Sequence, residues 1–286
     1  MHPNRSANDG VQADYQHRAR LVFNRIRRHM NQLGKEAKSN EVHRFRTNSR
    51  RVEALVNEFA PESRNKQKLL KALSRLRKKA GKLRDLDVQI QFLENLKIPD
   101  RQNHRAQLLE ILNSERTSRS RKLPKRFDSD TVSKLRKRLG RASSAIRLDG
   151  VDPFHRAIER LPKLDARELN ERNLHSFRIA AKAARYVAES VDSPEANSFV
   201  AELKTAQDAI GEWHDILKLK EQAEKLFGRV HDSTLVAALN NITHARFRRA
   251  SSAALAAIAN ISTRFSTSAK TPAKVAAKAP SPAVAA

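Results

Sequence analysis

The chain has 286 residues, with 57 Lys and Arg against 31 Asp and Glu and a formal net charge of +26. The absence of cysteine excludes disulfides, thiolate nucleophiles and thiolate metal sites. No apolar run approaches the roughly 18 residues of a membrane span and no signal core follows the N-terminus, so we expect a cytoplasmic protein without membrane segments. The positive charge favours polyanionic partners.

Seven glycines, with abundant Ala, Leu, Lys, Arg and Glu, predict an all-α fold. Residues 1–13 are polar and are predicted to be flexible. Asp14 is expected to cap a first helix that ends near Lys38. The apolar residues predicted for its buried side are Leu21, Val22, Ile26, Met30 and Leu33.

Prolines and capping residues divide the rest of the chain into further helices. We expect a short helix between Pro153 and Pro162 and a helix that begins at Asp165. Residues 267–286 are mostly Ala, Lys, Pro and Ser, which predicts a disordered tail. The other predicted helices span about 40–60, 62–97, 100–121, 128–148, 194–227 and 232–265.

A basic stripe lies on the predicted second helix. His43 is followed by Arg46 at +3 and Arg50 at +7, and these positions share one face because each residue turns a helix by about 100°. Phe45, at +2, is expected in the core. Like charges on one face repel, so such a stripe indicates that another group supplies the negative charge.

The same stripe returns 132 residues later. His175 is followed by Arg178 and Lys182, and Arg185 extends the stripe to roughly 15 Å. Phe177 takes the place of Phe45 and is also expected in the core. At the position of Arg185 the first stripe has Glu53, so the two stripes differ in charge.

A second pair of motifs repeats with an offset of 130 residues. Gly81 and Asp85 match Gly211 and Asp215, and each pair follows its histidine stripe at a similar distance. Two motifs recurring in the same order predict an internal duplication, with half one at about 14–122 and half two at about 128–266. A mid-helix glycine costs about 1 kcal/mol relative to Ala, so we expect a close approach of a helix or a ligand there.

Together these motifs resemble the CHAD family, helical domains with characteristic histidines. The resemblance covers about residues 14–266. It implies two pseudo-symmetric four-helix bundles that bind inorganic polyphosphate in a groove between them, in association with polyphosphate granules. The residues implied as ligand contacts are His43, Arg46, Arg50, Arg51, Arg84, His175, Arg178, Lys182 and Arg185. Further candidates are Arg77, Lys78 and His214.

The residue types suit that ligand. Arginine bonds phosphate oxygens in pairs, lysine supplies a point charge, and histidine gains charge when phosphate raises its pKa. Arg84 followed by Asp85 is equally consistent with an ion pair between helices. The run Lys78, Lys79 and Lys82 is interpreted as a solvated face.

Other functions are less consistent with the sequence. Asp85 and Asp87 lie about 200° apart on a helix and cannot chelate one ion, and no phosphate loop or activated nucleophile is visible, so we predict neither catalysis nor a metal or cofactor. Non-specific nucleic-acid binding is the main alternative, although exposed stacking aromatics are scarce. A scaffold for an acidic protein also remains open.

Overall fold

The computed structural model describes residues 4–162, 164 and 169–265. These residues form nine α-helices and a single 3₁₀ turn, Pro124–Arg126, and contain no β-strand. The all-α prediction is therefore confirmed. The helices are α1 Asn4–Lys35, α2 Ser39–Phe59, α3 Arg64–Asn95, α4 His104–Lys122, α5 Ser129–Ser144, α6 Pro153–Glu159, α7 Glu171–Ala188, α8 Pro194–Phe227 and α9 Thr234–Phe265.

The first helix begins earlier than predicted. The segment 1–13, predicted to be flexible, is helical from Asn4 onward, and Asp14 does not cap the helix. Its carboxylate instead accepts a hydrogen bond from Nε of Arg18 at 2.9 Å, an i,i+4 pair that suits a helix interior. Leu21 is 41% exposed, so its predicted burial was wrong, whereas Ile26 and Leu33 are fully buried.

Capping side chains explain several other helix starts. Asp128 and Ser193 cap α5 and α8 at the predicted places, and Ser63 caps α3, which begins two residues later than expected. At the start of α7, Asn170 forms a capping box with Asn173. The predicted start at Asp165 and the predicted disordered tail, 267–286, lie outside the described residues.

The two helices that carry the histidine stripes pack against each other. α2 contacts α1, α3 and α7, while α7 contacts α6, α8 and α2, and α3 also contacts α8. Phe45 and Phe177 are fully buried, as predicted, which turns the stripe residues of both helices away from the core. The basic faces of α2 and α7 therefore lie near each other.

Two apolar clusters hold the helices together. The larger one contains Phe45, Phe177 and Trp213. The smaller one joins α3 and α4 to α8 and α9 through residues such as Leu93 and Leu239. Because this second cluster draws on both predicted halves, the duplication into separate bundles stays a prediction. None of the described helices has the length and apolar character needed to cross a bilayer.

Candidate functional site

A cavity of about 1000 Å³ lies between α2, α3, α7 and α8, and one side chain of α9, Arg246, reaches it. We call it the basic groove, because lysines and arginines from all five helices line it. Of the residues singled out from the sequence, the groove brings together His43, Arg46, Arg50, Arg77, Lys78, Arg84, Arg178, Lys182, Arg185 and His214.

Arg46 and Arg178 occupy equivalent places in the two stripes and share an unusual environment. Burial lowers the pKa of both guanidinium groups, an effect that Asp85 opposes at Arg46 and Asp215 at Arg178. Within the described part of the chain, the Nε of each is buried and has no hydrogen-bond partner. A buried N–H donor without a partner costs free energy, so both guanidinium groups favour an incoming anionic acceptor.

Lys182 is the most strongly perturbed cation of the groove. Burial, followed by the charges of Arg178, Arg50 and Arg46, lowers the pKa of its ammonium group to about 6. At neutral pH the side chain is therefore mostly uncharged. An anion among these groups would favour the charged form and raise the pKa again.

Two aspartates partly neutralise the groove. Asp85 lies 3.5 Å from Nη1 of Arg46 and 3.8 Å from Nζ of Lys218. At Asp215, burial raises the carboxyl pKa, but the His214 ring, whose Nδ1 lies 3.8 Å from Oδ1, and nearby positive charges outweigh it, so the pKa is lowered overall. Asp215 is therefore ionised at pH 7, and both carboxylates hold groove cations in place.

Arg84 and Asp85, for which the sequence left an ion pair open as an alternative, contact other groups. Nη1 of Arg84 donates to Oγ of Ser39 at 3.4 Å, while Asp85 turns to Arg46. Adjacent residues on a helix point about 100° apart, so they readily reach different neighbours. Arg84 is thus directed toward the start of α2, where its charge acts on His43.

The repeated glycines do not mark a close approach of helices. A methyl group at Gly81 would lie 3.8 Å from Nε of Arg46, which is ordinary contact, and one at Gly211 would meet no atom within 4 Å. Both glycines line the groove. Their effect is to keep its walls open. Of the two predicted alternatives, the close approach of a helix is contradicted, and the close approach of a ligand stays a prediction.

Two of the implied contact residues, His175 and Arg51, do not line the groove. The His175 ring stacks on the groove residue His214 with a centroid distance of 5.3 Å and an interplanar angle of 21°. Nε of Arg51 donates to Oε2 of Glu189 at 2.6 Å, and Oε1 of that carboxylate lies 3.4 Å from Nε of Arg185. These tertiary contacts hold both side chains outside the lining of the groove.

Sequence reasoning missed several groove residues. Lys204, Lys218 and Arg246 line the groove although they belong to no repeated stripe. Lys204 and Lys218 lie seven residues before and after Gly211, so they share the Gly–Asp face of α8 and that motif could have identified them. Only the packing of α9 brings Arg246 to the groove. Among the described residues, no cluster of three or more His, Asp or Glu could hold a metal ion.

Lys82 also lines the groove, although it was interpreted as part of a solvated face. For this residue the sequence did contain a usable signal. Lys82 follows Lys78 by four residues, so the two lie on the face of α3 that Gly81 and Asp85 share. The repeated Gly–Asp motif could therefore have identified Lys82 as a groove residue.

Comparison with known proteins agrees with this architecture. The family model described as "CHAD domain" matches residues 17–224, so the chain belongs to the CHAD domain family. The fold is similar to the crystal structure of the CHAD domain from the plant Ricinus communis, with a TM-score of 0.59 and 15% sequence identity. That similarity covers 89% of this chain and 88% of the plant chain. No curated protein matches the sequence significantly.

Proposed function

We propose that this CHAD protein binds inorganic polyphosphate in the basic groove and associates through it with polyphosphate granules. The observation that carries the proposal is the pair of largely buried guanidinium groups, Arg46 and Arg178, whose Nε donors lack partners in the described structure. Phosphate oxygens are the acceptors that such groups bind best.

The distribution of charge supports a linear ligand over a single phosphate. Arg50 and Arg84 lie on the α2 and α3 walls, while Lys182 and Arg185 lie on the α7 wall. A chain of phosphates satisfies cations that are spread along a groove, and it needs no base-reading contacts. Binding is proposed without catalysis, because the groove aspartates act as counter-charges to its cations.

A second candidate function, non-specific nucleic-acid binding, is favoured by a different surface. Residues 119–141 contain ten Lys and Arg against Asp128 and Asp130, and none of them lines the groove. Lys137 and Arg141 are exposed on α5. A surface of this kind attracts any phosphate backbone through counterion release.

Competition binding separates the two candidates. Labelled polyphosphate is displaced with DNA, RNA or pyrophosphate at equal total charge. The proposed function predicts that Arg46→Ala/Arg178→Ala weakens polyphosphate binding strongly, whereas the matched outer variant Lys137→Ala/Arg141→Ala weakens only nucleic-acid binding. Equal losses of polyphosphate binding in both variants would overturn the groove as its site.

A further inference from the structure

The net charge is distributed unevenly along the chain. Residues 14–148 contain 36 Lys and Arg against 14 Asp and Glu, whereas residues 149–265 contain 17 against 16. The basic groove does not account for this difference, because its lining includes six Lys and Arg from each of the two ranges. The excess positive charge therefore lies on other surfaces of the first range, and such an asymmetry is typical of a surface that binds a polyanion.

Two helices of this range, α1 and α5, pack against each other and are strongly basic. Residues 15–35 of α1 and 131–144 of α5 contain eleven Lys and Arg and no Asp or Glu. Nine of the eleven form no ion pair with any described residue, and the two exceptions are Arg18 and Lys134. The positive charge of these two helices is therefore largely uncompensated by the protein itself.

Amide side chains, which carry no charge, hold two of these arginines. Nη2 of Arg136 donates to Oδ1 of Asn31 at 2.6 Å between the two helices, and Nη1 of Arg27 donates to Oδ1 of Asn24 at 3.2 Å along α1. A methyl group at Gly140 of α5 would lie 3.3 Å from Nη2 of Arg27, so the glycine leaves room for this guanidinium group. A neutral amide orients a guanidinium group without cancelling its charge, as a carboxylate would.

Exposed cations form two neighbouring rows on these helices. In α1, Arg20, Arg28 and Lys35 recur at intervals of eight and seven residues, which places them on one face over about 22 Å. Asn31, which accepts the hydrogen bond from α5, lies within one turn of Arg28, so the row on α5 runs beside the row on α1. We define the α1–α5 face by these two rows, which consist of Arg20, Arg28, Lys35, Arg136, Lys137 and Arg141. All six are exposed, and none lines the basic groove.

The α1–α5 face suits the backbone of a duplex better than a single strand. The only Phe and Tyr of α1, Tyr15 and Phe23, are buried, and α5 contains no aromatic residue, so the face offers no ring for base stacking. A duplex carries one phosphate charge per about 1.7 Å of its axis, so a length of about 22 Å presents roughly thirteen charges. Two rows of cations on packed helices, with axes about 8–10 Å apart, can reach phosphates of both strands.

An anionic membrane fits this face less well. A helix that lies in a membrane interface combines its basic residues with an apolar face that enters the lipid. Among the described residues of α1 and α5, Leu21 is the single large hydrophobic side chain that is exposed. The face therefore has the charge for a lipid surface but not the apolar area.

We propose that the α1–α5 face binds the phosphodiester backbone of a nucleic-acid duplex, at a site separate from the basic groove. This inference rests on the second candidate function, nucleic-acid binding, which it narrows to a duplex and to one surface. It does not depend on polyphosphate binding. Contacts to phosphates carry no sequence information, so DNA and RNA duplexes of any sequence are expected to bind.

A change of charge at constant shape tests the face. Asn31→Asp places a carboxylate where Arg136 now has an amide partner, so it cancels a positive charge without removing a contact. In the matched control, Asn240→Asp adds the same charge between α8 and α9, where Oδ1 of Asn240 accepts from Nζ of Lys220 at 3.4 Å. Fluorescence polarisation with a labelled DNA duplex measures the affinity at several salt concentrations. Asn31→Asp should weaken binding about fivefold at physiological salt and flatten the log–log salt slope by about 0.9, whereas Asn240→Asp should change neither.

A second pair of variants removes exposed cations. Arg28→Ala/Lys137→Ala should weaken duplex binding by at least about tenfold. The control Arg229→Ala/Arg248→Ala removes two exposed cations that lie outside both the face and the groove lining, and it should cost less than about twofold. Circular dichroism verifies that each variant keeps its helical fold. Equal losses in the two variants would mean that net charge alone attracts the duplex, and the α1–α5 face would be overturned as its site.

Competition identifies the class of ligand. DNA and RNA duplexes should both displace the labelled duplex, and single strands of the same length should compete more weakly at equal phosphate concentration. Stronger competition by a single strand, or by vesicles of phosphatidylglycerol, would overturn the assignment of a duplex.

The groove variant Arg46→Ala/Arg178→Ala distinguishes this inference from the proposed function. It should retain duplex binding, and a loss as large as that of Arg28→Ala/Lys137→Ala would overturn the separate site. If the wild-type protein binds no duplex even at low salt, nucleic-acid binding fails and this inference fails with it, while the polyphosphate proposal is unaffected. If the protein binds duplex but no polyphosphate, the proposed function fails and this inference stands.

Discussion

Glu53 of α2 and Arg77 of α3 form a two-point ion pair beside the groove, with Oε2 2.5 Å from Nη1 and Oε1 3.0 Å from Nη2. The equivalent position in the second stripe is Arg185, so one helix carries a carboxylate where the other carries a cation. The pair occupies both oxygens of Glu53 and withholds Arg77 from a ligand.

Replacing Glu53 by Gln should therefore strengthen polyphosphate binding, by about two- to fivefold at physiological salt, because Arg77 becomes free to contact phosphate. Equilibrium binding measures the change. Glu62→Gln removes a carboxylate that pairs with Lys66 away from the groove and serves as the control. A double-mutant cycle with Arg77→Ala should show coupling, and additive effects would contradict the prediction.

The salt dependence of binding should report the groove contacts. Arg46→Ala, Arg178→Ala and Lys182→Ala should each weaken polyphosphate binding, about tenfold for the arginines, and flatten the log–log salt slope by about 0.7. Lys79, exposed on α3 outside the groove lining, is the control position. A similar loss in Lys79→Ala would indicate a diffuse attraction instead of a defined site.

Replacing Lys182 with an apolar residue should stabilise the fold but weaken polyphosphate binding. The pKa of its ammonium group is about 6 in the folded protein, below the ordinary value of 10.5, so the unfolded chain binds more protons between these pH values and stability rises with pH across that window. Lys182→Met should therefore raise the free energy of unfolding at pH 7 by roughly 1–2 kcal/mol while weakening polyphosphate binding. The gain should be smaller at pH 9.

Denaturant unfolding of both proteins at pH 7 and pH 9 measures this difference. An unchanged unfolding midpoint in Lys182→Met at both pH values would argue against a buried neutral lysine.

The groove glycine of α8 should tolerate alanine. Gly211→Ala adds a methyl group that meets no atom within 4 Å and should stabilise α8 by up to about 1 kcal/mol. Gly228→Ala is the contrasting variant, since Gly228 has φ +82° and its added methyl group would lie 2.6 Å from Oδ2 of Asp232. In thermal unfolding, the melting temperature of Gly211→Ala should be higher than that of the wild type, and that of Gly228→Ala should be lower. The reverse order would refute the packing argument.

Much of the local structure was predictable because it depends on neighbours in sequence. Asp128 and Ser193 cap helices by accepting hydrogen bonds from backbone N–H groups three residues later. The burial of Phe45 and Phe177 follows from their +2 position, which lies off the basic stripe. The start of α1 was missed because Asp14 suits a cap and an i,i+4 partner equally well. Propensity alone does not choose between these roles.

The sequence by itself determined that the protein is helical, that two helices carry repeated basic stripes, and that those stripes face away from the core. Helical spacing fixes these features, since it sets the direction of a side chain relative to its own helix axis. Only the tertiary structure decided which partner each side chain meets. His175 turns to His214 and Arg51 to Glu189 because helix crossings bring those groups within reach, and a spacing within one helix carries no information about the crossing.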